Sequence, residues 1–188
     1  MNRAALACVS VALLTPLLLA QTKTNATKRV YRAASGDRAV VRPVGGTGET
    51  VIDFFGAREN KLCSADYSSA DGTHGFVVVK AEWTPDERYF VFSTQSSGGH
   101  QPWHAPTSFY SSDDHILCSL DDFLEPPGIA TPDFMLSPPN RITTFIYGKP
   151  TPASTLLDPI RKTGTRNGTP RCVPCDRAHV YRFGWTTE

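Results

Sequence analysis

From residue 39 onward the chain is written as short apolar runs of four to eight residues, each broken by Gly, Pro, Asn or Asp. These runs predict strands at 39–42, 50–55, 61–64, 76–83, 89–94, 107–110, 116–119, 142–147 and 179–183. Val, Ile, Phe, Tyr and Thr dominate them, the side chains that fit a pleated, half-buried surface. No window of eleven or more residues sustains the spacing of an amphipathic helix. One short turn is expected at 120–124, capped by Ser119 with Asp122 three residues on and stopped by Pro126-Pro127. The pattern reads as all-β: a compact antiparallel fold.

The breaks have mechanisms. Asp71-Gly72 and Asn167-Gly168 are turn dipeptides, because Gly accepts positive φ and Asp or Asn bonds the local backbone. Thr84-Pro85-Asp86 sets a turn between two strong strands. Residues 125–140 hold five prolines, so that stretch is expected to cross the surface without joining a ladder. Residues 148–171, rich in Pro, Thr, Gly and Arg, are expected to form a long loop. Polar residues 21–36 have little to bury and read as a flexible leader. The chain thus divides into that leader, a β core at 37–147, and a loop-rich C-terminal part at 148–188 that packs one further strand.

The N-terminus bears on compartment. Arg3 precedes an uncharged run from Ala4 to Ala20, the layout of a signal peptide spanning residues 1–20. Cleavage is expected after Ala20, with Ala26 as the other small-residue choice. Cys8 lies ahead of most of the apolar run, which is the wrong place for a lipid-modified cysteine. Removing residues 1–20 takes only Arg3 among the charges, so basic and acidic residues balance. That balance gives no electrostatic reason to expect nucleic acid or an anionic membrane as partner. No later segment has the length of a membrane span. The expected location is exported, periplasmic or extracellular.

One internal similarity stands out. Phe54-Phe55, Leu62-Cys63-Ser64 and Asp66 overlay Phe109-Tyr110, Leu117-Cys118-Ser119 and Asp121 at a constant offset of 55 residues. Each copy reads as a hairpin, and a repeated hairpin suggests a duplicated architecture. Between the copies lies Ala81-Glu82-Trp83-Thr84-Pro85-Asp86-Glu87-Arg88-Tyr89-Phe90-Val91-Phe92. This tract resembles the blade signature of TolB-type β-propellers, in which an aromatic is followed by Ser or Thr, Pro, Asp, a turn and an apolar strand. It is also similar to a group of uncharacterised exported bacterial proteins that carry the tract. The resemblance covers one blade-like repeat and implies blade-like β structure, with no activity attached. Four or more blades of about 40 residues would consume the mature chain. The expectation is therefore either a partial or degenerate propeller-like fold or a sandwich.

Candidate chemistry concentrates in the loop 96–106, which joins two strong strands and holds His100, Gln101, Trp103 and His104. Long loops on a rigid β frame are where binding residues gather. These four, with His74 from the loop 71–75, are the candidate ligand-binding residues. His74, His100 and His104 are also the candidate zinc ligands, although Pro102 denies His100 and His104 a shared helical face. Asp113-Asp114 and Asp121-Asp122 read as turn formers, and as an acid and base only if opposed across a site. Four cysteines remain after Cys8: Cys63, Cys118, Cys172 and Cys175. They read as two disulfides with three connectivities open. Cys63 and Cys118 can pair if the two hairpins lie side by side. Cys172-Val173-Pro174-Cys175 precedes a strand-like stretch rather than a helix, the wrong setting for a redox dithiol.

No nucleophile elbow, phosphate loop or dinucleotide fingerprint occurs. The leading expectation is a non-catalytic exported module, without a cofactor, that binds a protein, a glycan or a surface polymer through the 96–106 and 71–75 loops. The alternative is a metal-dependent hydrolase using the histidines of those loops. A third reading, an envelope structural protein, would show a surface without pockets.

Overall fold

A computed structural model of the chain describes residues 27–99, 104–121, 123–124, 128–163, 165–166, 169–170 and 172–175. The signal peptide 1–20, the strand expected at 179–183, and His100, Gln101 and Trp103 lie outside the described residues. The chain builds three successive antiparallel meanders. The first sheet is β1 (Arg29–Arg32), β2 (Arg38–Val44), β3 (Glu49–Phe55) and β4 (Lys61–Asp66), in chain order. The second is β5 (Phe76–Trp83), β6 (Tyr89–Ser96), β7 (Thr107–Ser111) and β8 (Ile116–Ser119). The third is β9 (Ile129–Ser137), β10 (Arg141–Ile146) and β11 (Ala153–Leu156), followed by the single short helix α1 (Leu157–Thr163). A two-stranded ribbon, β12 (Thr165–Arg166) with β13 (Thr169–Pro170), leads to β14 (Cys172–Pro174), which joins the second sheet beside β8. Among the described residues no sheet closes into a barrel.

The second sheet is the middle layer. Phe90, Phe92 and Tyr110 point to the first sheet and pack with Ile52, Phe54 and Val41. Tyr89, Val91, Phe109 and Cys118 point the other way, onto Ile129, Phe134, Ile142, Leu157 and Ile160. Both faces of β6 and β7 are therefore buried, which is why Tyr89-Phe90-Val91-Phe92 shows no polar alternation. Each of these large side chains contributes about 1.5–3 kcal/mol by leaving water. The hairpin similarity is real in register: Phe54 lies opposite Cys63, and Phe109 opposite Cys118. The Phe54 ring also stacks on Tyr110 at 3.9 Å, so the two hairpins pack face to face.

Three expectations need correction. The leader 21–36 contains β1, because Tyr31 packs on Phe90 at 5.3 Å and its carbonyl accepts from Trp83 Nε1 at 3.3 Å. The proline-rich stretch 125–140 contains β9. It is an edge strand, and Pro132 falls where the register with β10 shifts, so its missing N–H costs no ladder bond. The long loop 148–171 contains β11 and α1, because Leu157 and Ile160, one turn apart, bury against the middle sheet.

The disulfides are Cys63–Cys175 and Cys118–Cys172, not Cys63 with Cys118. The two hairpins meet through aromatic faces, which leaves each hairpin cysteine to one arm of the Cys172/Cys175 pair. Cys172 sits opposite Cys118 in the β8–β14 ladder, while Cys175 reaches across to β4. Cys118–Cys172 thus fastens β14 within the second sheet, and Cys63–Cys175, three residues on, ties that sheet to the first. Disulfides of this kind fit an oxidising compartment.

Candidate functional site

Phe76 at the start of β5 pairs with Ser96 at the end of β6, so the loop 67–75 and the residues from Ser97 to Gly99 leave the stack side by side. Ser97 N–H donates to the Gly75 carbonyl at 2.9 Å, tying them together. The β2–β3 turn joins them at the same end, where Thr47 Oγ1 donates to the Gly72 carbonyl.

Beneath these loops lies Glu49, with 0 % of its surface exposed. Its carboxylate accepts from Ser69 N–H at 2.7 Å, Gly75 N–H at 2.7 Å, Ser97 Oγ at 2.8 Å and Ser69 Oγ at 2.9 Å. Burial alone would raise the Glu49 pKa. The Ser69 and Gly75 amides and the Ser97 and Ser69 hydroxyls outweigh it and hold the carboxyl below its ordinary value. Gly75 is required here, since a Cβ would sit 2.5 Å from the Tyr67 carbonyl and 2.6 Å from the Glu49 carboxyl carbon.

Above this anchor, Asp71 takes Thr73 N–H at 3.0 Å and the His74 imidazole at 2.5 Å, and it shares with Glu49 the single Ser69 hydroxyl hydrogen, its Oγ 2.8 Å away. The Thr73 amide first, then the Ser69 hydroxyl and His74, keep the Asp71 carboxyl well below the usual carboxylate range. Asp71 and His74 are both largely exposed, so this pair is presented to solvent on a preformed turn.

His104 belongs to a second pair. Its Nε2 bonds Asp121 Oδ1 at 2.9 Å, and Asp121 also accepts from Thr107 N–H at 2.8 Å and Ile129 N–H at 3.0 Å. Asp121 therefore links the start of β7 to the start of β9, beyond the turn-forming role expected of it. The turn expected at 120–124 is present, with Phe123 and Leu124 N–H both donating to the Leu120 carbonyl.

The opposite end of the stack holds another network that the sequence did not suggest. Asp158 in α1 accepts from the Tyr89 hydroxyl, from Arg88 and from Asn140 Nδ2 at 3.2 Å. Arg88 also bonds Asp113 at 2.6 Å, and Arg161 bonds Asp113 and Asp114 at 3.3 and 3.2 Å. The Tyr89 hydroxyl chiefly, with Asn140 and the two arginines, lowers the Asp158 pKa against its burial. Asp113 and Asp114 are thus consumed by arginines and are not opposed to a second acid across a site.

His74 and His104 are each engaged by a separate aspartate. Among the described residues no group of three or more His, Cys, Asp or Glu is arranged to hold a metal. An open groove of about 280 Å³ runs between β2 and β5, lined by Arg29, Val41, Pro43, Thr50 and Val77. No helix among the described residues is long and apolar enough to cross a membrane.

The only sequence signal for Glu49 was a single acid heading the apolar run 50–55, which is indistinguishable from a solvated turn residue. Asp158 gave none, because Arg88 and Tyr89 come from the second meander and Asn140 from the β9–β10 turn, all distant in sequence.

Acid should weaken the fold through these carboxylates. Burial opposes ionisation of Asp53, but Lys61, Ser64 and Arg42 prevail and lower its pKa to about 2. A depressed carboxylate contributes stability that is complete above its unfolded pKa and is lost as pH falls through the folded one. Glu49, Asp53 and Asp158 share that sign. Stability should hold steady above about pH 5 and decline between about pH 4 and pH 2. In denaturant titrations across that range, Asp53→Asn should remove about 2 kcal/mol of the pH-dependent part. An unchanged slope in the variant would refute the assignment.

No known protein family, curated protein or solved structure matches this chain.

Proposed function

We propose that this chain is an exported, non-catalytic β module that binds another protein, a glycan or a surface polymer through the loops 71–75 and 96–106, which meet where Ser97 bonds Gly75. The observation that carries this reading is the buried Glu49 carboxylate, which fastens both loops from below. A loop ordered before its partner arrives gives up less conformational freedom on binding. Supporting the reading further, the exposed Asp71–His74 pair offers an acceptor and an imidazole on a fixed turn. The blade-like part of this reading rests on the resemblance of the tract Ala81–Phe92 to the TolB-type signature. Export is supported by the uncharged run Ala4–Ala20 and by the two disulfides.

An array of glycans and envelope polysaccharides, followed by calorimetry on the ligands retained, tests the proposal. His74→Ala and Trp103→Ala should each weaken binding by about tenfold, or about 1.4 kcal/mol, with unchanged thermal melting. Binding that is indifferent to both variants would reject this face. Stoichiometric zinc in protein purified without added metal, lost on His100→Ala, would replace the reading with a metal-dependent hydrolase.

A further inference from the structure

Among the described residues five large apolar side chains are well exposed, and three of them belong to one place. Met135 (59 % exposed), Phe145 (42 %) and Tyr147 (52 %) lie on the third sheet or just past its end. Side chains alternate along a strand. Since Phe134, Ile142, Thr144 and Ile146 turn inward to the middle sheet, Met135, Thr143 and Phe145 turn out. The outer face of the first sheet is finished differently. There Asp53 pairs with Arg42 and Lys61, and Glu59 with Arg32 and Arg38, giving a charged, solvated surface. In a stack of sheets a terminal layer with a polar outer face acts as a cap. The first sheet has one apart from Val30, whereas the third sets exposed Met135 and Phe145 among Asp133, Ser137, Arg141 and Thr143.

We propose that the outer face of the third sheet docks a second copy of this chain, sheet on sheet, about a two-fold axis running across the strands. The charges on this face complement themselves under that operation. Met135 lies opposite Thr143 at the middle of the β9–β10 ladder, and Arg141 lies opposite Ser137 at one end. Asp133 and Phe145 fall toward the other end, where the register shifts, and Asp133 and Arg141 are both exposed. A two-fold across the strands exchanges the ends. It brings Arg141 of one copy over the Phe145 and Asp133 end of the other, and Met135 meets its own image near the axis. Sheet-on-sheet packing is also how this chain covers its other two interlayer faces. Three strands and about six residues give a face of about 14 Å by 20 Å. Two such faces cover roughly 560 Å² in projection, below the about 1,000 Å² of a stable interface, so the dimer is weak and transient, with a dissociation constant of about 100 μM.

Sedimentation of the full, oxidised chain from about 5 to about 200 μM tests this. A monomer–dimer equilibrium is expected. Met135→Asp with Phe145→Asp should weaken it by at least about tenfold at unchanged melting temperature, both side chains being exposed. Arg141→Asp should weaken it as well, and adding Asp133→Arg should restore it, because the swap preserves complementarity. Peroxide oxidation of Met135 should slow as concentration rises. A monomer throughout the range overturns the proposal, as does a dimer indifferent to Met135 and Phe145. Met135 protected equally at every concentration would assign the face to the chain's own residues 176–188, and also overturns it.

Discussion

Glu49→Ala is expected to cost about 3–5 kcal/mol and to release both loops at the candidate site. The carboxylate is the acceptor for the Ser69 and Gly75 amides and for the Ser97 and Ser69 hydroxyls, all within 2.9 Å at their closest. Each donor stranded away from water forfeits about 1–3 kcal/mol, and partial relaxation of the loops toward solvent recovers some of it. Glu49→Gln should cost less, since its amide oxygen still accepts, but its NH₂ group confronts a donor. Denaturant titration gives the stability change, and hydrogen exchange at the Ser69 and Gly75 amides shows whether the loops open before the sheets. A loss below about 1 kcal/mol with unchanged exchange would mean that the loops do not depend on this anchor. The experiment also separates binding from folding, because ligand contact by the loops should fall more steeply than global stability.

Removing the Cys63–Cys175 bridge by paired serine substitutions should cost about 4 kcal/mol. The bridge closes 112 residues of sequence, and long closed loops restrict the unfolded chain most. For a chain of this length that loss lowers the melting temperature by roughly 10 °C. Cys118–Cys172 spans 54 residues between strands already in register, so the β8–β14 ladder should hold part of that contact after its own removal. Deleting the Cys63 bridge should therefore loosen the first sheet from the second, where no backbone ladder joins them. Melting within about 3 °C of the parent in scanning calorimetry would refute the clamp.

Much of the fold was legible because most strands announce themselves locally. The eight strand positions predicted between 39 and 147 are all present, and so is the hairpin similarity. The misses share a cause. β1, β9 and α1 are short or carry breakers, and they exist because the middle sheet offers an apolar surface to lie on. Tyr31 needs Phe90, and Leu157 needs the far face of the same sheet. Nothing within 29–32 or 157–163 shows that surface, since tertiary packing supplies the stability that local propensity lacks. The candidate site was legible as a pair of loops but not as a mechanism. His74 and His104 were visible as residues. Their partners Asp71 and Asp121 read as turn formers, and the acid under the loops lies more than twenty positions away from them in the chain.

The arrangement of cysteines also sets an order of events during synthesis. A polypeptide made from its N-terminus presents Cys63 and Cys118 well before Cys172 and Cys175 exist to meet them. An oxidant acting early can only join the wrong two thiols of this core, and later thiolate attack must undo that bond. Maturation of this protein should accordingly quicken in the presence of a disulfide isomerase, with synthesis of Cys172 and Cys175 deciding when the covalent framework can close.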